Sequence, residues 1–168
     1  MKDIDSIINE MKTQWTLPRK ALHHGKICPF LLNCTFYDKI NNVTMNDSLH
    51  NMPQLIDFWK ISNGADLFKD SQYGQWGIRI FTSDEAIEVT NKQKKERMQE
   101  FLSSDFIFGC FFGDCDLLMI DRSSGAINVV LPIDKRSEWY MVADSLKEFL
   151  DKLLSSQGDK YWEHIRDY

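Results

Sequence analysis

Apolar residues recur along the start of the chain with a helical period. Ile4, Ile7, Ile8, Met11 and Trp15 fall at i, i+3, i+4, i+7 and i+11, the stripe of an amphipathic helix that Pro18 ends. Residues 18–30 read as a connector, punctuated by Pro18, Gly25 and Pro29 and charged by Arg19, Lys20 and Lys26. Residues 30–32 and 34–37 offer a short strand or docking segment, and residues 41–51 are polar and turn-prone. Pro53 suits the first turn of a helix, where its missing N–H costs nothing. Leu55, Phe58, Trp59 and Ser62 share one face of that helix, and Asn63-Gly64 ends it, with Gly as the left-handed C-terminal residue. Trp76, Ile78 and Ile80 then alternate with Gly77, Arg79 and Phe81, which is a strand period.

Thr82 followed by Glu85 forms a capping box, with Asp84 and Glu85 at the positive end of the helix dipole. The pattern predicts a helix to about Leu102, with Ile87, Met98, Phe101 and Leu102 as its core side chains and a middle, residues 91–97, too polar to bury. Residues 106–112 and 117–121 read as neighbouring strands joined at 113–116. A second turn at 122–125 leads to a strand at 126–131 that Pro132 stops. Leu146, Phe149, Leu150, Leu153 and Leu154 make the cleanest helical stripe, closed by Gly158. Strands in hairpins rather than in strand–helix–strand repeats imply an α+β fold: a single domain with a mainly antiparallel sheet, a central meander, flanked by helices.

Composition narrows this picture without redirecting it. At 168 residues, 43% hydrophobic and 27% charged, the chain suits one globular domain. Twenty-five acidic against twenty basic residues give a formal charge of −5, which disfavours a broad nucleic-acid footprint and suits a basic protein partner. The first ten residues hold no apolar core of signal-peptide length and no stretch approaches a transmembrane helix, so the expectation is a cytoplasmic protein that enters no membrane. Cys28, Cys34, Cys110 and Cys115 are spaced too loosely for a zinc knuckle and are expected to be buried free thiols.

The order of motifs between residues 52 and 154 resembles the SUKH superfamily: a Pro-started helix ending in Asn-Gly, a central sheet, and an Ala-x-Ser-type last helix. The matching residues are Pro53, Phe58, Trp59, Asn63 and Gly64; then Ile107, Gly109, Gly113, Asp114, Leu117, Ile120, Asp121 and Gly125; then Ala143, Ser145, Phe149 and Leu150. Relatives often place a helix with a Glu just ahead of the Pro-started one, where this chain has Ile40-Asn41-Asn42-Val43 and no acidic residue. The resemblance divides the chain into an N-terminal helix and extension at 1–50, a SUKH-like core at 51–158 and a tail at 159–168. It implies an α+β domain, not an enzyme, that binds protein: an immunity protein occluding a cognate, basic toxin such as a nuclease, or else a regulatory interaction module. Ligand spacing and absent phosphate-loop fingerprints point to no metal and no cofactor, and the acidic balance to no direct nucleic-acid contact; a monomer or weak dimer is expected.

Asp114 and Asp116, with Asp121 across the turn, form the best-looking cluster. A solvated turn ranks first for it, a partner-contacting acidic rim second and a metal third. Asp66 and Asp70, read as lying in a loop, together with Asp84, Glu85 and Glu88, form a second acidic group. Tyr73 and Trp76 supply aromatic anchors beside it. The candidate partner-binding residues are therefore Asp66, Asp70, Tyr73, Trp76, Glu85, Asp114 and Asp116. No spacing supports a Cys110 or Cys115 pair with His164; His23-His24 reads as solvent-exposed, and the run from Lys92 to Arg97 reads as a solvated helix face.

Overall fold

A computed structural model describes residues 2–39 and 47–165. The expectations for residues 40–46 lie outside the described residues. Among the described residues, eight strands follow one another in chain order across a single antiparallel sheet. They are β1 Arg19–His23, β2 Lys26–Phe36, β3 Ala65–Asp70, β4 Ile78–Ile80, β5 Asp105–Phe111, β6 Leu117–Asp121, β7 Ile127–Val130 and β8 Tyr140–Ala143. Helices α1 Ile4–Trp15, α2 Pro53–Ile61 and α4 Leu146–Ser155 pack on one another, with α1 against β2 and α4 against β8. Helix α3 Ser83–Glu96 lies along β5, and a short α5 Tyr161–Ile165 follows α4. The fold is α+β, as the pattern implies.

The helical stripes are seated as their periods predict. Ile4, Ile7, Ile8, Met11 and Trp15 are all buried. Pro53 opens α2, whose Leu55, Phe58 and Trp59 are buried, and the Thr82–Glu85 capping box closes reciprocally at the start of α3. Helix α4 starts at Leu146, with the Ser145 side chain accepting the Glu148 N–H.

Four elements differ from the sequence expectation. Residues 18–30 are no connector: they build the β1–β2 hairpin, turned at His24 and Gly25, both with positive φ as a two-residue type I′ turn requires. Pro29 is accommodated because the register slips between Lys20 and Leu22, leaving Ala21 opposite an extra stretch of β2. Helix α3 stops at Glu96 rather than near Leu102. There the Arg97 N–H bonds the Gln93 carbonyl and its guanidinium donates to the carbonyls of Leu131 and Asp134. Of the proposed core side chains beyond this point, Phe101 is buried on Trp139, but Met98 and Leu102 are 75% and 55% exposed. Strand β4 is shorter than residues 76–81, and β8 forms where no strand was expected, with Ala143, matched to the last helix, inside it.

The sheet is curled, and the C-terminal segment shows by how much. Gln157 Oε1 accepts the Leu22 N–H of β1 at 2.8 Å, while the Tyr161 hydroxyl donates to the Val142 carbonyl of β8 at 2.8 Å. Four residues reach about 14 Å fully extended, and the two side chains with their hydrogen bonds add roughly as much again. Seven strand spacings in a flat sheet would hold the edges about 34 Å apart. Both edges are thus bent round to meet one short segment, which covers exposed strand-edge groups on each.

At the far side of the sheet Asp105, fully buried, takes a two-pronged contact from Arg136 and the Leu102 N–H. Removing Arg136 would leave that carboxylate buried without its cation. Arg136→Ala is expected to cost about 3 kcal/mol in urea unfolding; a loss well under 1 kcal/mol would mean that water replaces the guanidinium.

Candidate functional site

In an antiparallel meander every second connection emerges at the same end. That end here carries the His24-Gly25 turn, loop 71–77 between β3 and β4, loop 112–116 between β5 and β6, and loop 131–139 between β7 and β8. The turn between α4 and α5 packs against the first three. Trp76 donates its indole N–H to the Gly158 carbonyl at 2.9 Å, and His23 Nε2 meets the Gln157 carbonyl at 2.9 Å. Gly158 has φ +83, and a Cβ there would sit 2.3 Å from the Phe68 Cβ, so only glycine lets this turn seat against β3.

Asp70 lies at the end of β3, not in a loop, and is 1% exposed. Its carboxylate accepts the N–H groups of Gln72 and Tyr73 on one oxygen and of Gln75 on the other. Burial alone would raise this carboxyl, but the three N–H donors prevail and hold it below its ordinary range. Loop 71–77 is built around that anion. Next to it, Gly113 lies so close to the Gln75 backbone that a Cβ would come within 2.2 Å of the carbonyl oxygen, and the Phe112 N–H bonds the Gly77 carbonyl.

This contact brings Tyr73, Trp76, Asp114 and Asp116 to one surface. Tyr73 is 70% exposed. Asp114 accepts the Asp116 N–H and pairs with Lys160 at 3.0 Å, whose ammonium lies 5.2 Å from the Trp76 ring centre and 5.1 Å from that of Phe111. Burial, then the charge of Asp114, pushes the Asp116 carboxyl up, with Asp134 and Glu163 adding to it and Lys160 opposing it. Asp114 and Asp116 thus share one turn against Lys160, within reach of the charges of Asp134 and Glu163. Asp134 and Glu163 escaped sequence reading because the meander and α5 bring them from distant segments. Asp121 does not join them: it sits at the far end of β6, bonded to Ser123 and Ser124.

Asp66 and Glu85 lie elsewhere. Asp66 is on β3, not in a loop, and its carboxylate accepts from the Tyr37 hydroxyl at 2.7 Å and from Arg79 at 3.0 and 3.4 Å, with Lys69 at 3.8 Å. Burial, then Asp66, raises the Tyr37 phenol to about 12. Glu85 is spent in the capping box at the start of α3, by the opposite end of the sheet.

His23 is half-buried rather than solvent-exposed, 3.9 Å from the buried Asp159, which His164 meets at 2.7 Å; the exposed His24 stacks on His164. The four cysteines are free, but Cys115 is exposed and Cys110 half-buried, contrary to the expectation of buried thiols. Burial raises Cys28, Cys34 and Cys110, the second to about 12, which disfavours the thiolate. Among the described residues no group of three or more His, Cys, Asp or Glu is placed to hold a metal ion, and no helix is long and apolar enough to cross a membrane.

The sequence pattern of the SMI1 / KNR4 family (SUKH-1) matches residues 53–152, from the first residue of α2 into α4. The chain belongs to this family. No curated protein matches it in sequence. The SUKH-1 region contributes Tyr73, Trp76, Asp114, Asp116 and Asp134 to the loop end, while the β1–β2 hairpin, Lys160 and Glu163 come from outside it.

The lowered carboxyl of Asp70 gives its native state an advantage that is present above the unfolded value of 3.8 and lost as pH falls through the lower folded value. Asp70→Asn should therefore be destabilised most at neutral pH, by about 2 kcal/mol. Its deficit should shrink as urea titrations are moved to pH 4 and then pH 3. A deficit that does not change with pH would place the effect outside the carboxylate.

Proposed function

We propose that this SUKH-1 protein binds a protein toxin and neutralises it without catalysing a reaction, as an immunity protein acting in the cytoplasm. The observation that carries this reading is the acidic turn of Asp114 and Asp116, held against Lys160 and standing beside Tyr73 and Trp76 at one end of the sheet. Such a surface attracts a basic groove of the kind a nuclease offers to its substrate, and occupying the groove excludes the substrate. Tyr73 and Trp76 provide aromatic area beside the charges, the residue types that anchor protein interfaces. Membership of a family of protein-interaction domains supports a polypeptide partner.

Charge governs the approach in this reading, so salt must weaken it. A tagged chain recovered from its native cells should retain a stoichiometric partner with a basic domain at low salt and lose it as salt rises. The double variant Asp114→Lys/Asp116→Lys should bind that partner at least about tenfold more weakly, with a flatter salt dependence. Glu85→Lys, at the other end, should bind as the parent does. Unchanged affinity and salt slope in the double variant would remove the acidic loop end from the interface.

A further inference from the structure

At the end of the sheet opposite the acidic rim, the β6–β7 turn and α3 enclose a pocket of about 250 Å³ lined by Ser48, Ile87, Asn91, Lys94, Phe106 and Arg122, with the Thr90 side chain at its wall. Two of these are half-buried cations. Neither Lys94 nor Arg122 takes part in an ion pair among the described residues. The Arg122 guanidinium lies 5.0 Å from the Phe106 ring centre and donates one N–H to the Ser48 carbonyl, but its Nε is buried without a hydrogen-bond partner. Lys94 spends one of its donors on the Ser103 carbonyl, 3.1 Å away. Thr90 offers nothing further, because its hydroxyl both accepts from and donates to the Ile107 backbone.

Uncompensated buried charge is costly, and an orphaned buried guanidinium nitrogen is uncommon in folded proteins. The cost registers on both side chains: burial lowers the basicity of Arg122, and burial followed by the charge of Arg122 lowers that of Lys94, with Asp105 only partly opposing. We propose that this pocket is a binding site for a phosphate group, held between Lys94 and Arg122 with the Asn91 amide at the rim. A carboxylate would answer only one of the two cations, whereas a phosphate carries close to two charges at neutral pH and several acceptor oxygens. The pocket is smaller than those that enclose drug-sized molecules, which fits inorganic phosphate or a small phosphomonoester.

The purified chain, titrated with inorganic phosphate or glycerol phosphate at ionic strength matched with chloride, should show a saturable rise in Tm and a calorimetric binding isotherm. The tighter of the two identifies free phosphate or an ester as the better ligand. Lys94→Gln should weaken either one about tenfold or more. Asn91→Asp places a carboxylate in the pocket, so it should raise Tm without phosphate and abolish the response to it. Arg122→Gln should also abolish binding, but it loses the Ser48 and Phe106 contacts as well, so the other two variants decide the matter. No shift beyond that of chloride, an equal shift from acetate, or a full response in Lys94→Gln would overturn the site.

Discussion

Five residues after α4 tie the two edges of an eight-stranded sheet to one another, and the shape of the molecule depends on that tie. Gln157 caps β1, Tyr161 caps β8, and Gly158 between them receives the Trp76 indole and seats on Phe68. Phe68 itself has φ 51, a left-handed conformation that costs a non-glycine residue about 1–2 kcal/mol. The surroundings hold it there: its N–H points to the Cys34 sulfur and its ring meets Trp15 edge-on at 5.0 Å. The bulge this creates buries both Leu67 and Phe68, the latter beneath the C-terminal turn.

Charge is then divided by position along the sheet. Carboxylates that serve the fold are satisfied inside it: Asp105 by Arg136, Asp66 by Tyr37 and Arg79, Asp70 by the loop it caps. At the loop end Asp114 pairs with Lys160 while Asp116 takes part in no ion pair among the described residues, which leaves acidic surface for a basic partner. At the other end the imbalance is reversed, with two half-buried cations and no described carboxylate to pair them.

The helices were legible because their apolar periods and caps are local: α1's stripe, Pro53 at the start of α2, the Thr82–Glu85 box and Ser145 before α4 all stand within a few residues of what they stabilise. The β1–β2 hairpin was not, because its outer residues Leu22 and Ile27 are 54% and 65% exposed and Pro29 interrupts the alternation that marks a strand. Asp66 and Asp70 looked like loop residues because carboxylates are unfavourable in a buried strand until Tyr37, Arg79 and the loop N–H groups are folded around them. The acidic turn at Asp114 and Asp116 was visible. The charges of Asp134 and Glu163 that act on Asp116 were not, since only the fold brings those segments within reach of it.

If the C-terminal tie preorganises the loop end, amide hydrogen exchange will show it in the protein free of any partner. The Leu22 N–H, bonded to Gln157, and the Gln72, Tyr73 and Gln75 N–H groups, bonded to Asp70, should be protected nearly as well as the central strand β5. Exchange of these amides at the rate of an unstructured chain would contradict the account, because the surface proposed to meet the partner would then not exist before binding.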